Sequence, residues 1–352
     1  MLAWCFCVNS SFALACSEQE LAVSNVFFWL TLAGEQVKGC VNYYTSGMFI
    51  RMVLFCLLLN SIGVAFGAEK CLNQTSIISW NVQTFGNLAP ARKAVCVEAY
   101  RNVISSHVTV LAVQELINQK GEALFLSLLP GASQQWGVSF EDTSSSHDNG
   151  VFYRAAVATI TAQGFVYGDT PSKKPDRSKV LHPARWAHIR VDDFDFTIVS
   201  LHLTYQKGDT RESKREMLNI LDWLVQYFKD PKSDPDVILA GDFNLPSSKG
   251  KPLSKRKKEA SFMTLESIIQ EHGKFLTGPR KLSVLIDEPT SRSRKGAGNN
   301  YDHFILTQSV LERLISADRV PVEIVDKVDA GKDVRVSDHY PIVTAFCTQY
   351  RP

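Results

Sequence analysis

The chain has 352 residues, 45% of them hydrophobic and 21% charged, with a net charge of +2. This ordinary globular composition excludes a disordered or low-complexity chain and leaves room for one large domain or two small ones.

The first 68 residues differ from the rest. Met48-Phe49-Ile50-Arg51-Met52 opens an apolar run through Leu59 that continues from Ile62 and ends on the small residues Gly67 and Ala68. A basic start, a short apolar core and a small-residue end make a secretory signal peptide, with cleavage expected after Gly67 or Ala68. The core is short and interrupted for a membrane span, and a single-pass anchor is the alternative reading. A signal of this kind begins at an initiator methionine. Residues 1–47 are therefore read as an over-extended gene model, 48–68 as the signal, and 69–352 as one catalytic domain. Of eight cysteines, only Cys71, Cys96 and Cys347 then remain. Cys71 lies just before the first expected strand and Cys347 ends the last. If those strands are neighbours, a disulfide can tie the two ends in an oxidising compartment, with Cys96 left free in a helix.

Expected strands follow at Ser76–Asn81, Thr109–Gln114, Gly150–Tyr153, Ala184–Val191, Phe194–Leu203, Val237–Ala240, His303–Leu306 and Ile342–Phe346. The clearest helix is Arg211–Phe228, with Met217, Leu218, Leu221, Leu224, Val225 and Phe228 at helical spacing. Phe194–Ile198 alternates in polarity, while Val237–Ala240 is wholly apolar. That mixture predicts sheets with one face against another sheet and the other under helices. Lys249–Lys258 holds six basic residues and no acid. It reads as a solvated charge run or as a contact to a phosphate backbone through Lys255, Arg256, Lys257 and Lys258.

Polar residues recur at strand ends. Asn81 ends the first strand and Glu115 follows the second. His202 lies near the end of the fifth, and Asp242 and Asn244 follow the sixth. Asp302 opens the seventh, and Asp338 and His339 precede the last. One rim of a sheet can aim several such ends into one cleft. The acids are hard oxygen ligands suited to Mg²⁺, Mn²⁺ or Ca²⁺. Asn81 and Asn244 can bond phosphate oxygens or orient water without adding negative charge. Two histidines on separate strands can act as base and acid, and Asp302 can hold one imidazole in its working tautomer. Singly, each has an ordinary reading: a solvated cap for Glu115, a turn for Gly241–Asn244, a satisfied core histidine for His202. His182, His188 and His303 read as structural.

Ser79–Gly86, Val113-Gln114-Glu115, Ser200-Leu201-His202, Gly241-Asp242-Phe243-Asn244, Tyr301-Asp302-His303-Phe304 and Ser337–Pro341 occur in that order. Together they resemble the endonuclease/exonuclease/phosphatase superfamily, and most the deoxyribonuclease I branch. The resemblance implies an α/β (α+β) four-layer sandwich of two packed mixed β-sheets flanked by helices. It implies a metal at Glu115 helped by Asn81 and Asp338, and a histidine pair His202 and His339 with Asp302 behind His339. Asp242 and Asn244 would position water, metal or phosphate, and Arg185 would reach a substrate phosphate. The implied activity is a secreted, monomeric, divalent-metal-dependent endonuclease on DNA with little sequence specificity. A phosphodiesterase or phosphatase on lipid or small phosphates is the alternative on the same fold, and a DNA-binding toxin-type protein with a weak site is another. Two features depart from the branch. Ile117 stands where it has a minor-groove arginine, and the acid partner of the first histidine is not obvious, Asp148 being the nearest candidate.

Overall fold

The computed structural model describes residues 71–86, 88–131, 133–145, 147–168, 175–207, 209–247, 264–293, 296–320 and 336–351. All lie in the unit Glu69–Pro352. The segments 1–47 and 48–68 and the basic run with Lys255, Arg256, Lys257 and Lys258 lie outside the described residues.

The first half of the unit alternates strands and helices. β1 (Cys71–Phe85), α1 (Pro90–Val103) and β2 (Val108–Leu116) make a βαβ unit, followed by α2 (Asn118–Leu128). Then come β3 (Trp136–Ser139), β4 (Asp148–Arg154), β5 (Thr159–Phe165) and β6 (Arg185–Val191). A second βαβ unit runs through β7 (Phe194–His202), α3 (Arg211–Tyr227) and β8 (Val237–Asp242). The remainder is α4 (Leu265–His272), β9 (Leu282–Leu285), the short pair β10 (Arg292–Ser293) and β11 (Gly296–Ala297), β12 (Asp302–Thr307), α5 (Gln308–Leu311), β13 (Leu314–Arg319) and β14 (Ile342–Tyr350).

Two six-stranded sheets result, ordered β13-β14-β1-β2-β4-β3 and β5-β6-β7-β8-β12-β9. Each is mixed in the same way: one parallel pair, β1·β2 or β7·β8, lies at the centre, and every other pairing is antiparallel. The parallel pairs need crossovers, and α1 and α3 supply them.

Three apolar clusters define the layers. Ile77, Val110, Phe196, Ile198, Ile238 and Phe304 lie between the sheets. Trp80, Val113 and Phe152 face outward against Tyr100 of α1 and Phe125 of α2. Val199 and Leu239 face outward against Met217, Leu221 and Leu224 of α3 and Ile268 of α4. The stacking is helix, sheet, sheet, helix, the expected four-layer sandwich. Strands buried on both faces carry near-continuous apolar runs, which is why Val237–Ala240 shows no alternation.

All eight expected strands and the long helix form. Besides the two-residue pair β10 and β11, the reading missed β3, β5, β9 and β13. Each is an outer or next-to-outer strand that is short or largely exposed, as with the sequence Thr-Ile-Thr-Ala-Gln-Gly-Phe of β5. Such strands lack the apolar run that marks a central one. Cys71 and Cys347 form a disulfide with Cα atoms 5.6 Å apart, and Cys96 is free and buried in α1. The bridge follows from β1 pairing with β14, where Gln74 lies opposite Cys347 and Cys71 opposite Tyr350.

Candidate active site

The topology places every chemistry-bearing residue at one rim. The C-terminal ends of parallel β1, β2, β7 and β8 share it. The N-terminal ends of the antiparallel β12 and β14 meet them there, with Asp302 opposite Asp242 and Ile342 opposite Ser79. Gly241 is required where β8 runs close beside Leu201 of its parallel neighbour β7. Its φ is +155°, and a Cβ there would stand 1.9 Å from the Leu201 carbonyl oxygen.

Asn81 is the hub. Its Nδ2 donates to Glu115 Oε1 at 2.9 Å and to Asp242 Oδ2 at 3.1 Å, joining an acid from each sheet. Its Oδ1 accepts from the Gln83 amide at 3.0 Å, and the Thr84 amide donates to Glu115 Oε2 at 2.8 Å. Gln83, Thr84 and Glu115 all have positive φ, between 49° and 65°. Non-glycine residues in this region cost of order 1–3 kcal/mol each and persist where surrounding bonds hold them. Below the hub, Gln114 Nε2 donates to Ser200 Oγ at 3.0 Å, and Ser200 Oγ donates to the Val113 carbonyl at 3.1 Å, so the two sheets are bonded where they share the site.

The histidines approach Asp242 from two sides. His202 Nε2 lies 3.6 Å and His339 Nε2 3.5 Å from the same Asp242 Oδ2. His202 Nε2 is also 3.9 Å from Glu115 Oε1. His339 Nδ1 bonds Asp302 Oδ2 at 2.8 Å, as the sequence suggested for this pair. Asp302 is anchored through its backbone amide, which donates to Thr290 Oγ1 at 2.9 Å. Ser337 Oγ donates to the Asn81 carbonyl at 2.6 Å and accepts from the His339 amide at 3.0 Å. Arg92 of α1 donates to the Val82, Gln83 and Val336 carbonyls, tying the end of β1 to the segment before His339. Asp338 is half-buried and raises the His339 pKa by its charge.

Burial and charge separate the titrating groups. Burial pushes His202 down to about 4, against the opposing pull of Glu115. For His339, burial also favours the neutral form, but Asp302 and then Asp242 outweigh it and hold the pKa well above the ordinary imidazole value. Burial drives Asp242 up to about 7, against His339 and with Asp302. Glu115 feels burial upward, but His202, the Asn81 bond, His147 and the Thr84 amide bring it below the usual value. Two like side chains with pKa values forced apart are the pattern of an acid and a base in one site.

The other expected residues are placed as follows. Asn244 is buried, its amide donating to the Leu203 carbonyl at 2.8 Å and its backbone N–H to Asp242 Oδ1 at 3.0 Å. Arg185 starts β6 at the same rim. Its guanidinium bonds Ser139, Glu141 and Gln163 and stacks over Phe165. Asp148 is not the partner of His202: its Oδ1 accepts from the Thr143 hydroxyl, and its Oδ2 is buried without a hydrogen-bond partner among the described residues. His303 is structural as expected, its ring nitrogens bonded to the Ile286 and Leu245 carbonyls.

Sequence reasoning missed three residues near the site. His182 stacks on His202, and His147 sets its ring edge-on to His202 with Nε2 3.7 Å from Glu115 Oε2. Both come from loops, where no periodicity marks them. Glu216, fully buried on α3, accepts from the amides of Leu181 and Thr204 and from the Thr204 hydroxyl. A signal for it existed: an acid sits on the face of α3 that also carries Met217 and Ile220, and buried acids are seldom unpaired.

The Endonuclease/Exonuclease/phosphatase family pattern matches residues 78–339. A search of curated proteins by sequence finds no match. Among solved structures the chain is similar to D. rerio TDP2 complexed with a single-strand DNA product. Identity is 16%, the TM-score is 0.52, and the match covers 78% of this chain and 99% of that one. It is similar to the mannosyl-6-phosphatase Bt3783 of Bacteroides thetaiotaomicron, with 15% identity, TM-score 0.50 and coverage of 77% and 98%. The human Nocturnin catalytic domain matches at 12% identity, TM-score 0.50 and coverage of 80% and 97%. These likenesses carry the fold, and the family pattern spans every residue of the rim cluster from Asn81 to His339. The chain is a member of the endonuclease/exonuclease/phosphatase family.

Proposed function

We propose that this chain is a secreted, divalent-metal-dependent endonuclease that hydrolyses DNA phosphodiester bonds with little sequence specificity. The observation that carries the hydrolytic reading is the convergence of His202, His339 and Asp242 on one point. Two imidazole Nε2 atoms lie 3.6 and 3.5 Å from a single carboxylate oxygen. A water held beside that oxygen attacks phosphorus. His202, kept neutral, takes its proton, while the P–O bond to the leaving oxygen breaks. His339, kept cationic by Asp302, gives its proton to that oxygen.

The donor set fits a hard divalent cation. Asp242, Asp302 and His339 each offer a ligand atom within 4.8 Å of the others, but Asp302 and His339 are engaged with each other. Glu115 and Asp242, joined by Asn81, are the pair left to hold the ion. An ion there would favour the ionised form of Asp242, which burial disfavours. Bound Mg²⁺, Mn²⁺ or Ca²⁺ would neutralise phosphate charge.

DNA is favoured by the Gln83-Thr84-Phe85-Gly86 motif, by the basic run Lys255–Lys258, and by the likeness to D. rerio TDP2, which is complexed with a single-strand DNA product. Secretion is supported by the apolar leader and by the Cys71–Cys347 disulfide. A phosphatase on the same fold supports the second reading, hydrolysis of small or lipid phosphates. Purified protein is tested on plasmid DNA, RNA, a sugar phosphate and sphingomyelin, with Mg²⁺/Ca²⁺ or EDTA. Metal-dependent nicking, lowered by orders of magnitude in His202→Ala and His339→Ala with melting unchanged, is expected. Hydrolysis of lipid or sugar phosphate without DNA cleavage overturns the DNA assignment.

A further inference from the structure

The two histidines of the site are held differently. His339 is fixed by a carboxylate on Nδ1. His202 Nδ1 is buried and has no hydrogen-bond partner among the described residues. An imidazole with one unbonded nitrogen has a soft χ2 torsion, and only packing can fix its plane. The packing is specific: the His182 ring lies parallel to that of His202, with centroids 5.0 Å apart and planes 14° apart.

We propose that His182 is a positioning residue, whose stacked ring takes the place of a hydrogen-bonded acid in aiming His202 Nε2 at the reaction centre. Resting on the hydrolase reading above, this adds a residue to its machinery. His182 is itself built in. Its Nδ1 lies 3.3 Å from Ser145 Oγ, and its carbonyl and that of Pro183 accept from Asn149 Nδ2 at 3.4 and 3.0 Å. Glu216 then locks both members of the stack. One carboxylate holds the Leu181 amide at 2.8 Å, one residue before His182, and the Thr204 amide at 2.6 Å, two residues after His202. The His147 ring closes the remaining side, 4.8 Å from His182 and 5.5 Å from His202. Stacking depends on the face of the ring rather than its proton, so another flat ring can substitute.

The test compares His182→Ala with His182→Phe. Removing the ring frees His202 to turn, and a misplacement near 1 Å costs on the order of 100-fold in rate. His182→Ala is expected to lower kcat by roughly 10- to 100-fold with KM unchanged. His182→Phe, which keeps a stacked ring but carries no proton, is expected to recover most of the loss. Histidine-labelled NMR of the same proteins supplies a readout that needs no activity. The His202 ring signals should lose the ring-current shift in His182→Ala and keep one in His182→Phe. Equal kcat in wild type and His182→Ala overturns the proposal, as does a Phe variant no better than Ala. Unchanged His202 signals in His182→Ala overturn it too. If the wild type hydrolyses no phosphate ester, the hydrolase reading fails separately, and the NMR arm still decides whether the His182 ring stacks on His202.

Discussion

Asp302→Asn tests the acid half of the proposed chemistry. The Asp302 carboxylate is buried, and its Oδ2 lies 2.8 Å from His339 Nδ1. A hydrogen bond to a charged partner contributes about 1.5–3 kcal/mol, and Asp302 is foremost among the charges that raise the His339 pKa against burial. The amide retains the shape and removes that charge. An amide N–H turned toward Nδ1 also favours the neutral imidazole, which is a poor acid. Asp242, 3.5 Å from Nε2, retains part of the elevation. Because His339 acts in its protonated form, lowering its pKa moves the alkaline limb of kcat/KM to lower pH. Turnover near neutrality should fall by about 100- to 10,000-fold, the scale seen when the acid behind a catalytic histidine becomes an amide. The loss should be larger on plasmid DNA, whose alkoxide leaving group needs a proton, than on bis(p-nitrophenyl) phosphate, whose leaving group does not. Full pH–rate profiles on both substrates provide the assay. An alkaline limb that stays in place, or equal losses on the two substrates, refutes His339 as the acid.

Further outcomes follow from particular contacts. Burial holds the Asp148 carboxyl up at about 6 from 3.8, so above pH 6 the folded state carries a charge it disfavours. Asp148→Asn should raise stability at pH 8 by up to about 3 kcal/mol and leave it unchanged at pH 4, read by urea melts; equal gains at both pH values contradict the assignment. Its turnover should be unchanged, and a large loss would return Asp148 to a role beside His202. Gly241→Ala forces a Cβ toward the Leu201 carbonyl and should cost more than about 2 kcal/mol; a wild-type melting temperature disproves the close approach. The Cys71–Cys347 bridge closes a separation of 276 residues, so the Cys71→Ser/Cys347→Ser double variant should lose about 2–5 kcal/mol, with the folded fraction still active. Equal denaturant midpoints with and without reductant would remove the bridge from the stability account.

The central strands, the long helix α3 and the rim residues were legible because their signals are local. An apolar run of five residues marks a doubly buried strand whatever it packs on, and a polar group just past it marks a rim. The polar edge strands β5 and β13 carry no such mark, since what makes them strands is the neighbour they pair with. The same division runs through the site. Asp302 behind His339 was expected, and both sit on motifs at strand ends. The partner of His202 was sought among acids near β4, yet it is an aromatic ring from the loop before β6, held there by Glu216 on α3.

By itself, then, the amino-acid sequence determined the apolar periods, the order of strand-end motifs and the chemical types at the rim. Only the tertiary structure decided which groups meet. It set Asn81 between Glu115 and Asp242, brought both histidines to one oxygen, and laid His182 flat on His202. Propensity and period act over a few residues. Contacts across 20 to more than 200 positions depend on how two sheets pair, twist and stack, and no local pattern encodes that.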